Sequence, residues 1–228
     1  RRPMSNRPNP KGNQKARAVA QARQTSRGPS LALWVLIGIL GLAIIAVIVA
    51  ALSKNEPVEG ETQPVTIDGA ALPQHDDSGD DAAVGETAPT LRGTSFTGDA
   101  VTIGGPSDQP SIVVFVAHWC PHCQAEVPRL VEWRADGTIP EDVRLVAVAT
   151  GTDENQPNYP PQDWLEGEDW PDDVLADSPG SDAAEAYGLD AYPYFVALNA
   201  DGTVAARGSG ELDQQGIDLQ NVICLSGF

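Results

Sequence analysis

The chain has 228 residues, and its 14 basic and 32 acidic side chains give a formal net charge of −18 at pH 7. This length holds one domain with appendages, or at most two small domains. The negative charge argues against nucleic acid or anionic lipid as a partner of the acidic part of the chain, because phosphate groups would be repelled.

The first 30 residues are basic. They contain eight Lys and Arg side chains and no Asp or Glu, so all 32 acidic residues lie farther along the chain. We interpret residues 1–30 as a cytoplasmic tail whose positive charge keeps it on the inner side of a membrane. Nucleic-acid binding by this tail is the alternative.

Residues 31–52 form an apolar segment of 22 residues without a charged side chain. As a helix it would be roughly 33 Å long, enough to cross a hydrocarbon core of about 30 Å. A cleaved signal peptide is the alternative, but the apolar run of such a peptide is usually about 7–15 residues. We predict one transmembrane helix, with the N-terminus in the cytoplasm and the acidic part of the chain outside the cytoplasmic membrane.

Residues 53–86 are rich in Pro, Gly, Asp, Glu and Gln and contain few large apolar side chains. Such a segment buries too little surface to offset the entropy that is lost on ordering. We predict a flexible acidic linker with a reach on the order of 30 Å.

Residues 87–228 have the size of a single domain. Continuous apolar strands alternate with helical patterns, which predicts an α/β fold with a central sheet covered by helices on both faces. A final hairpin makes this sheet mixed. The predicted strands are 90–93, 100–104, 111–117, 143–150, 194–198 and 203–208, and the predicted helices are 123–133, 182–188 and 213–225.

Two cysteines, Cys120 and Cys123, follow the predicted strand 111–117 at the start of a helix. Backbone N–H groups at a helix N-terminus stabilise a thiolate, so Cys120 is the expected nucleophile and Cys123 the expected resolving thiol. Pro121 suits the first turn of a helix because it has no N–H group to leave unpaired. His122 is expected to donate a hydrogen bond to the Cys120 sulfur, which would stabilise the reduced form and make the disulfide a stronger oxidant. The alternatives for the pair are a structural disulfide, half of a zinc site, or a copper site that includes His122.

The order strand, Trp-Cys-x-x-Cys, helix resembles the thioredoxin superfamily over nearly all of residues 87–228. Within it, the stretches GETAPTLRGTSFTGDAVTI, CPHCQAEVP with its Glu126 and Pro128, and YGLDAYPYFVALNADGTVAARGSG are similar to the membrane-anchored TlpA/ResA branch. The tetrapeptide CPHC is similar to that of DsbA-type disulfide oxidants. The resemblance implies a thioredoxin-like fold and thiol-disulfide exchange through a redox-active disulfide, with no other cofactor and no metal. It also implies a cis proline opposite the cysteine pair, at Pro193.

Three aromatic residues near the motifs are candidates for substrate contacts: Trp119, Tyr192 and Tyr194. The chain departs from the family where many relatives carry a buried acid in the strand before the cysteines, since Val114 occupies that position. Either Glu126 or solvent must then exchange protons with the resolving thiol.

Several other residues allow two interpretations. His118 either tunes the site or is an exposed loop residue. Cys224 is either a small buried residue of the last helix or a thiol that pairs with another chain. Trp164 and Trp170 lie in the inserted segment 152–180, where they either anchor the insertion or belong to a partner-specific surface.

Three functions fit these residues. The first is an oxidant that donates its disulfide to exported cysteine-containing proteins and exchanges electrons with a membrane redox partner. The second, implied by the TlpA/ResA resemblance, is a reductant for apocytochrome c or for copper-site assembly proteins. The third is a non-catalytic accessory subunit of a membrane complex that uses the fold only as a binding surface.

Overall fold

A computed structural model of the chain describes residues 34–35, 38–41, 61–76 and 80–212. Residues 34–35 and 38–41 are helical and belong to a first compact unit, Arg1–Asn55, while the second unit is Glu56–Phe228. No helix within the described residues is both long and apolar enough to cross a membrane. The predicted tail, most of the predicted transmembrane helix, and the predicted last helix with Cys224 lie outside the described residues.

The described part of the second unit is an α/β domain. Its helices are α1 (Pro121–Ala135), α2 (Pro161–Gly167) and α3 (Asp182–Ala186). Its strands are β1 (Thr66–Asp68), β2 (Thr90–Thr94), β3 (Ala100–Ile103), β4 (Ser111–Val116), β5 (Arg144–Ala149), β6 (Asp173–Ala176), β7 (Tyr194–Leu198) and β8 (Val204–Ser209).

The central sheet has five strands in the order β6-β5-β4-β7-β8. Strand β4 pairs in parallel with β5, and β5 with β6, whereas β7 and β8 run antiparallel to their neighbours. The mixed sheet that the sequence predicts is therefore confirmed. A second sheet, β1-β2-β3, is antiparallel throughout.

Both faces of the central sheet are covered, because successive side chains of a buried strand point to opposite faces. From β4, Val114 and Val116 pack with apolar residues of α1 and α2 on one face. Phe115 packs on the other face with α3, with Tyr187 and with the β1-β2-β3 sheet. Helix α1, which begins where β4 ends, is thereby fixed against the sheet.

The prediction of a flexible linker over residues 53–86 is wrong for 61–76 and 80–86. Strand β1 lies in this range and pairs with β2, and Leu72 is buried. The backbone N–H of Leu72 donates to Ala186 O at 2.9 Å. Residues in this range are held in place by hydrogen bonds between main-chain groups. A composition of Pro, Gly and acidic residues does not reveal such bonds. We call residues 61–76 and 80–86 the strap.

A nearly buried ion pair also holds the strap to the domain. Arg207 of β8 is 9% exposed and donates from Nε to the Asp81 carboxylate at 2.8 Å, with a second bond from Nη2. Its Nη1 donates to Pro73 O at 2.8 Å and to Tyr187 O at 3.2 Å. The hydrogen bond from Arg207 lowers the pKa of Asp81. The guanidinium thus joins two parts of the strap to the last strand of the sheet.

The inserted segment 152–180 contributes regular structure that the sequence analysis did not predict. It contains α2 and β6, and β6 forms an edge of the central sheet. Strand β6 is only four residues long and lies between Asp- and Pro-containing segments. Its apolar run is therefore too short to predict a strand from the sequence. Trp164 is buried, and Trp170 packs against the same core, so the interpretation of both as packing anchors is confirmed.

Candidate active site

Cys120 lies at the junction of β4 and α1. It is the residue that caps the helix N-terminus, with φ −75° and ψ 120°, and Pro121 is the first residue of the helix. No side chain among the described residues caps this helix end by a hydrogen bond. The sulfur therefore lies at the positive end of the helix dipole, as the sequence predicts.

Cys123 lies one turn farther into α1, and its environment is different. Both cysteines are free thiols, but Cys123 is fully buried while Cys120 keeps 6% of its surface exposed. Burial raises the pKa of the Cys123 thiol, because an apolar interior disfavours the thiolate. A reagent that approaches from solvent therefore meets Cys120 first.

The main chain on either side of Pro193 faces the cysteine pair. The Tyr192–Pro193 peptide bond is cis, as the resemblance implies. The Cys120 Sγ donates to Tyr192 O at 3.9 Å, and Gly210 N donates to Pro193 O at 2.8 Å. This segment of main chain forms one wall of the site.

An aromatic pair packs beside the cysteine pair. The rings of Trp119 and Tyr192 meet edge to face with centroids 5.7 Å apart, and both pack against the core that contains the two cysteines. The indole Nε1 of Trp119 donates to Gly151 O at 2.7 Å. Gly151 has φ +61°, and a Cβ atom there would lie 2.8 Å from the Tyr192 hydroxyl oxygen, so a glycine is required for this packing.

The side chain of Tyr194 does not lie beside the cysteine pair, contrary to the prediction that it contacts substrate. Its side chain is fully buried in the core on the opposite face of the sheet, where its hydroxyl donates to Tyr187 O at 3.0 Å. The alternation of side chains along β7 explains the difference, since neighbouring residues of a strand point to opposite faces.

His118 is buried and holds a loop beside the site. Its Nδ1 lies 2.7 Å from Pro157 O, and its Nε2 accepts from Asp153 N at 3.2 Å. A carbonyl only accepts and a backbone N–H only donates, so these partners place the ring proton on Nδ1. The ring of the exposed Tyr159 and the imidazole of His118 meet edge to face. His118 therefore orders the loop, and neither interpretation from the sequence describes this role.

His122 is exposed, and its Nδ1 has a different partner from the one predicted. Nδ1 lies 2.7 Å from Glu211 Oε1, so this nitrogen does not donate to the Cys120 sulfur. The hydrogen bond to His122 lowers the pKa of Glu211. The difference arises because Glu211, which is 89 residues away in the sequence, lies next to the first turn of α1.

Glu126 is a fully buried carboxyl one helical turn after Cys123. Its Oε2 accepts from Arg129 Nη1 at 2.5 Å and from Leu212 N at 3.2 Å, whereas its Oε1 has no hydrogen-bond partner in the described structure. Burial raises the pKa of Glu126 to about 7, although the Arg129 guanidinium acts in the opposite direction. Glu126 can therefore exchange a proton near neutral pH. Val114, which is fully buried in the same core, has an apolar side chain and carries no proton to exchange.

No group of three or more His, Cys, Asp or Glu in the described ranges is arranged to hold a metal ion.

Comparisons with known proteins agree with this architecture. The structure of a putative thiol:disulfide interchange protein DsbE from Chlorobium tepidum superposes with a TM-score of 0.53 at 19% identity, covering 63% of this chain and 96% of that one. A second Chlorobium tepidum TLS structure, a thiol:disulfide interchange protein of the thioredoxin family, gives 0.50 at 21% identity, covering 62% and 96%. A putative thioredoxin from Neisseria meningitidis gives 0.51 at 22% identity, covering 61% and 88%. At these identities the likeness establishes the thioredoxin-like fold.

The family itself follows from the sequence match. The Redoxin family model matches residues 83–223, which is more than half of the chain and includes both cysteines of the site and the cis proline. With a reachable thiol at a helix N-terminus and a buried thiol one turn behind it, the chain is a thiol-disulfide oxidoreductase and belongs to the Redoxin family.

Proposed function

We propose that this oxidoreductase works outside the cytoplasm and oxidises cysteine pairs of exported proteins. The observation that supports exchange most directly is the asymmetry of the pair, with Cys120 at the helix N-terminus and 6% exposed, and Cys123 without exposed surface one turn farther along. The similarity of the CPHC motif to that of DsbA-type oxidants favours the oxidising direction, and the helix N-terminus favours negative charge at the Cys120 sulfur. A stabilised reduced form makes a disulfide a stronger oxidant.

The reaction begins from the Cys120–Cys123 disulfide. A client thiolate attacks Cys120 Sγ, the bond to Cys123 breaks, and Cys123 leaves as a thiolate. A second client thiolate then attacks the client sulfur of the mixed disulfide, which forms the client disulfide and releases the Cys120 thiolate. Two electrons pass from the client to the cysteine pair, and we propose that a membrane redox partner removes them.

Glu126 supplies the proton that the leaving Cys123 thiolate requires. The Cys123 thiol has a pKa raised by burial, so its thiolate is unstable unless it is protonated at once. A neighbouring carboxyl with a pKa of about 7 is protonated in a useful fraction of molecules at neutral pH. In the opposite direction the same carboxylate would accept the proton, so its role does not depend on the direction of electron flow.

The direction can be decided by the reduction potential of the full-length protein, equilibrated against glutathione. We expect a value near that of DsbA, about −120 mV, for a disulfide donor. A value near that of thioredoxin, about −270 mV, would instead establish the second candidate, a reductant. The similarity of the chain's motifs to the TlpA/ResA branch favours that second candidate.

A non-catalytic accessory role makes a separate prediction. If the role is accessory, replacing both cysteines of the site by serine leaves function in the cell intact. If the protein acts by thiol-disulfide exchange, the same replacement abolishes that function.

We further propose that residues 31–52 anchor the protein in the cytoplasmic membrane with its catalytic domain outside. Support comes from the uncharged apolar stretch and from the eight basic residues before it. After intact cells are treated with a membrane-impermeant reductant to open the disulfide, a membrane-impermeant thiol reagent should label the Cys224→Ser protein. The added change Cys120→Ser should remove that label. Labelling of Cys120 only after lysis would place the domain inside and refute the proposal.

A further inference from the structure

A row of charged side chains connects the exposed end of α1 with the buried carboxyl of Glu126. His122 Nδ1 lies 2.7 Å from Glu211 Oε1, and Glu211 Oε2 lies 3.6 Å from Arg129 Nη2. Arg129 Nη1 then donates to Glu126 Oε2 at 2.5 Å. Side chains in polar contact thus extend from a histidine whose side chain is 67% exposed to a carboxyl without solvent contact.

The same arginine holds the segment that follows β8. Arg129 Nη1 donates to Leu212 O at 3.0 Å, and Leu212 N donates to Glu126 Oε2 at 3.2 Å. One carboxylate oxygen of Glu126 is therefore fixed by two donors, while the other, Oε1, has no hydrogen-bond partner in the described structure. This arrangement leaves one oxygen of a fixed carboxyl available to exchange a proton with the neighbouring cysteine.

We propose that Arg129 and Glu211 are positioning residues for proton exchange at the cysteine pair: Arg129 orients Glu126 and holds its negative charge, and Glu211 limits that effect by binding the same guanidinium. The proposal rests on the function proposed above, because it concerns the proton that moves with the exchange. Neither residue touches the reacting sulfur atoms in the contacts described.

The two residues have opposite electrostatic effects on Glu126. Among the described residues, the titratable or charged groups that face it are Arg129 and Cys123 from α1 and Glu211 from the segment after β8. Burial raises the pKa of Glu126, the Arg129 guanidinium lowers it, and the Glu211 carboxylate raises it. Loss of the arginine should therefore increase the proton affinity of Glu126, and loss of the Glu211 charge should decrease it.

The test is an infrared titration of the reduced full-length protein between pH 5 and pH 9. The carboxylic-acid band of Glu126 is identified as the band that Glu126→Gln removes. We expect Arg129→Met to raise the midpoint of this band by about 1 pH unit or more, as is usual for loss of an opposite charge at close range. Glu211→Gln should lower it by a smaller amount, because Glu211 is partly exposed and lies farther from Glu126.

Two further variants separate charge from structure. Arg129→Lys retains the charge and should return the midpoint toward the wild-type value. Arg144→Met removes a surface ion pair with Asp173 that is not part of the site, and it should leave the midpoint unchanged. If Arg129→Met fails to fold, the direction of the shift in Glu211→Gln still decides the question.

The pH dependence of the rate at which a dithiol reduces the oxidised protein should shift in the same directions. An unchanged infrared midpoint in Glu211→Gln, or shifts of the same sign in Arg129→Met and Glu211→Gln, would overturn the proposal. The infrared measurement needs no redox turnover. A protein without exchange activity but with opposite midpoint shifts would therefore refute the proposed function, and only the electrostatic effects of Arg129 and Glu211 on Glu126 would stand.

Discussion

Replacing Cys123 by Ala should convert Cys120 into a trap for client proteins. The Cys120 thiolate can still attack a client disulfide, which forms a mixed disulfide and releases one client thiolate, but the buried thiol that would attack this mixed disulfide is gone. Turnover should be abolished, and covalent adducts should accumulate on the protein in cells. The measurement is non-reducing electrophoresis after acid quenching, followed by identification of the attached proteins.

The matched control is Cys120→Ala, and both variants also carry Cys224→Ser, so that only the buried Cys123 remains in the control. We expect no adducts from this variant, since Cys123 is fully buried. Equal adduct formation by both variants would contradict the assignment of Cys120 as the nucleophile. Adducts with many multi-cysteine exported proteins would support the oxidising role, and a single haem or copper client would support the reducing role.

Replacing Glu126 by Gln should slow exchange about 100-fold near neutral pH, the lower end of the usual contribution of a general acid or base. The glutamine keeps the shape of the side chain and an oxygen for Arg129, but it cannot carry the proton. The rate of the variant should also lose the part of its pH dependence that is centred near pH 7. Stopped-flow fluorescence of the wild type and the variant between pH 5 and pH 9 checks this.

The same substitution should change how stability depends on pH. The pKa of Glu126 is about 7 in the folded protein and 4.5 for an unperturbed glutamate, so the folded state binds this proton more tightly. The stability that this proton contributes is fully present below about pH 4.5 and is lost as the pH rises through about 7. The wild type should therefore lose stability relative to Glu126→Gln over that range, at no more than about 1.4 kcal/mol per pH unit.

Guanidinium denaturation of the reduced protein at several pH values measures this difference. Glu132→Gln is the control, because Glu132 is on the same helix but exposed. A difference between the wild type and Glu126→Gln that stays constant with pH would show that the buried carboxyl does not take up a proton on folding.

The parts of the fold that could be predicted are those with strong local patterns. Strand β4 is a run of apolar residues, and α1 begins at a proline beside the cysteine pair, so their positions follow from neighbouring residues. The cis proline at Pro193 was inferred from family resemblance rather than from pattern. Strands β1 and β6 are only three and four residues long, and pairing with distant partners defines them.

The electrostatic environment of the site was harder to predict for the same reason. Arg129 is three residues after Glu126, a spacing that places both on one face of a helix and could have indicated the pair. Leu212 donates to the Glu126 carboxylate and Glu211 binds the Arg129 guanidinium, each from more than 80 residues away, and no local signal identifies them. For Tyr194 the sequence predicted a contact that the structure does not contain. The residue follows Pro193 in the sequence, but strand geometry directs its side chain to the opposite face of the sheet.

The ion pair between Asp81 and Arg207 determines where a minimal fragment of this protein must begin. The Redoxin match starts at residue 83, two positions after Asp81, whereas Arg207 lies well inside it. A recombinant piece cut at the family boundary would therefore retain a nearly buried guanidinium and discard its counterion. Removing one partner of a buried pair typically costs about 3–5 kcal/mol, a large share of the stability of an ordinary domain. For this chain, the unit that keeps its buried ion pair is longer than the unit that the family model matches.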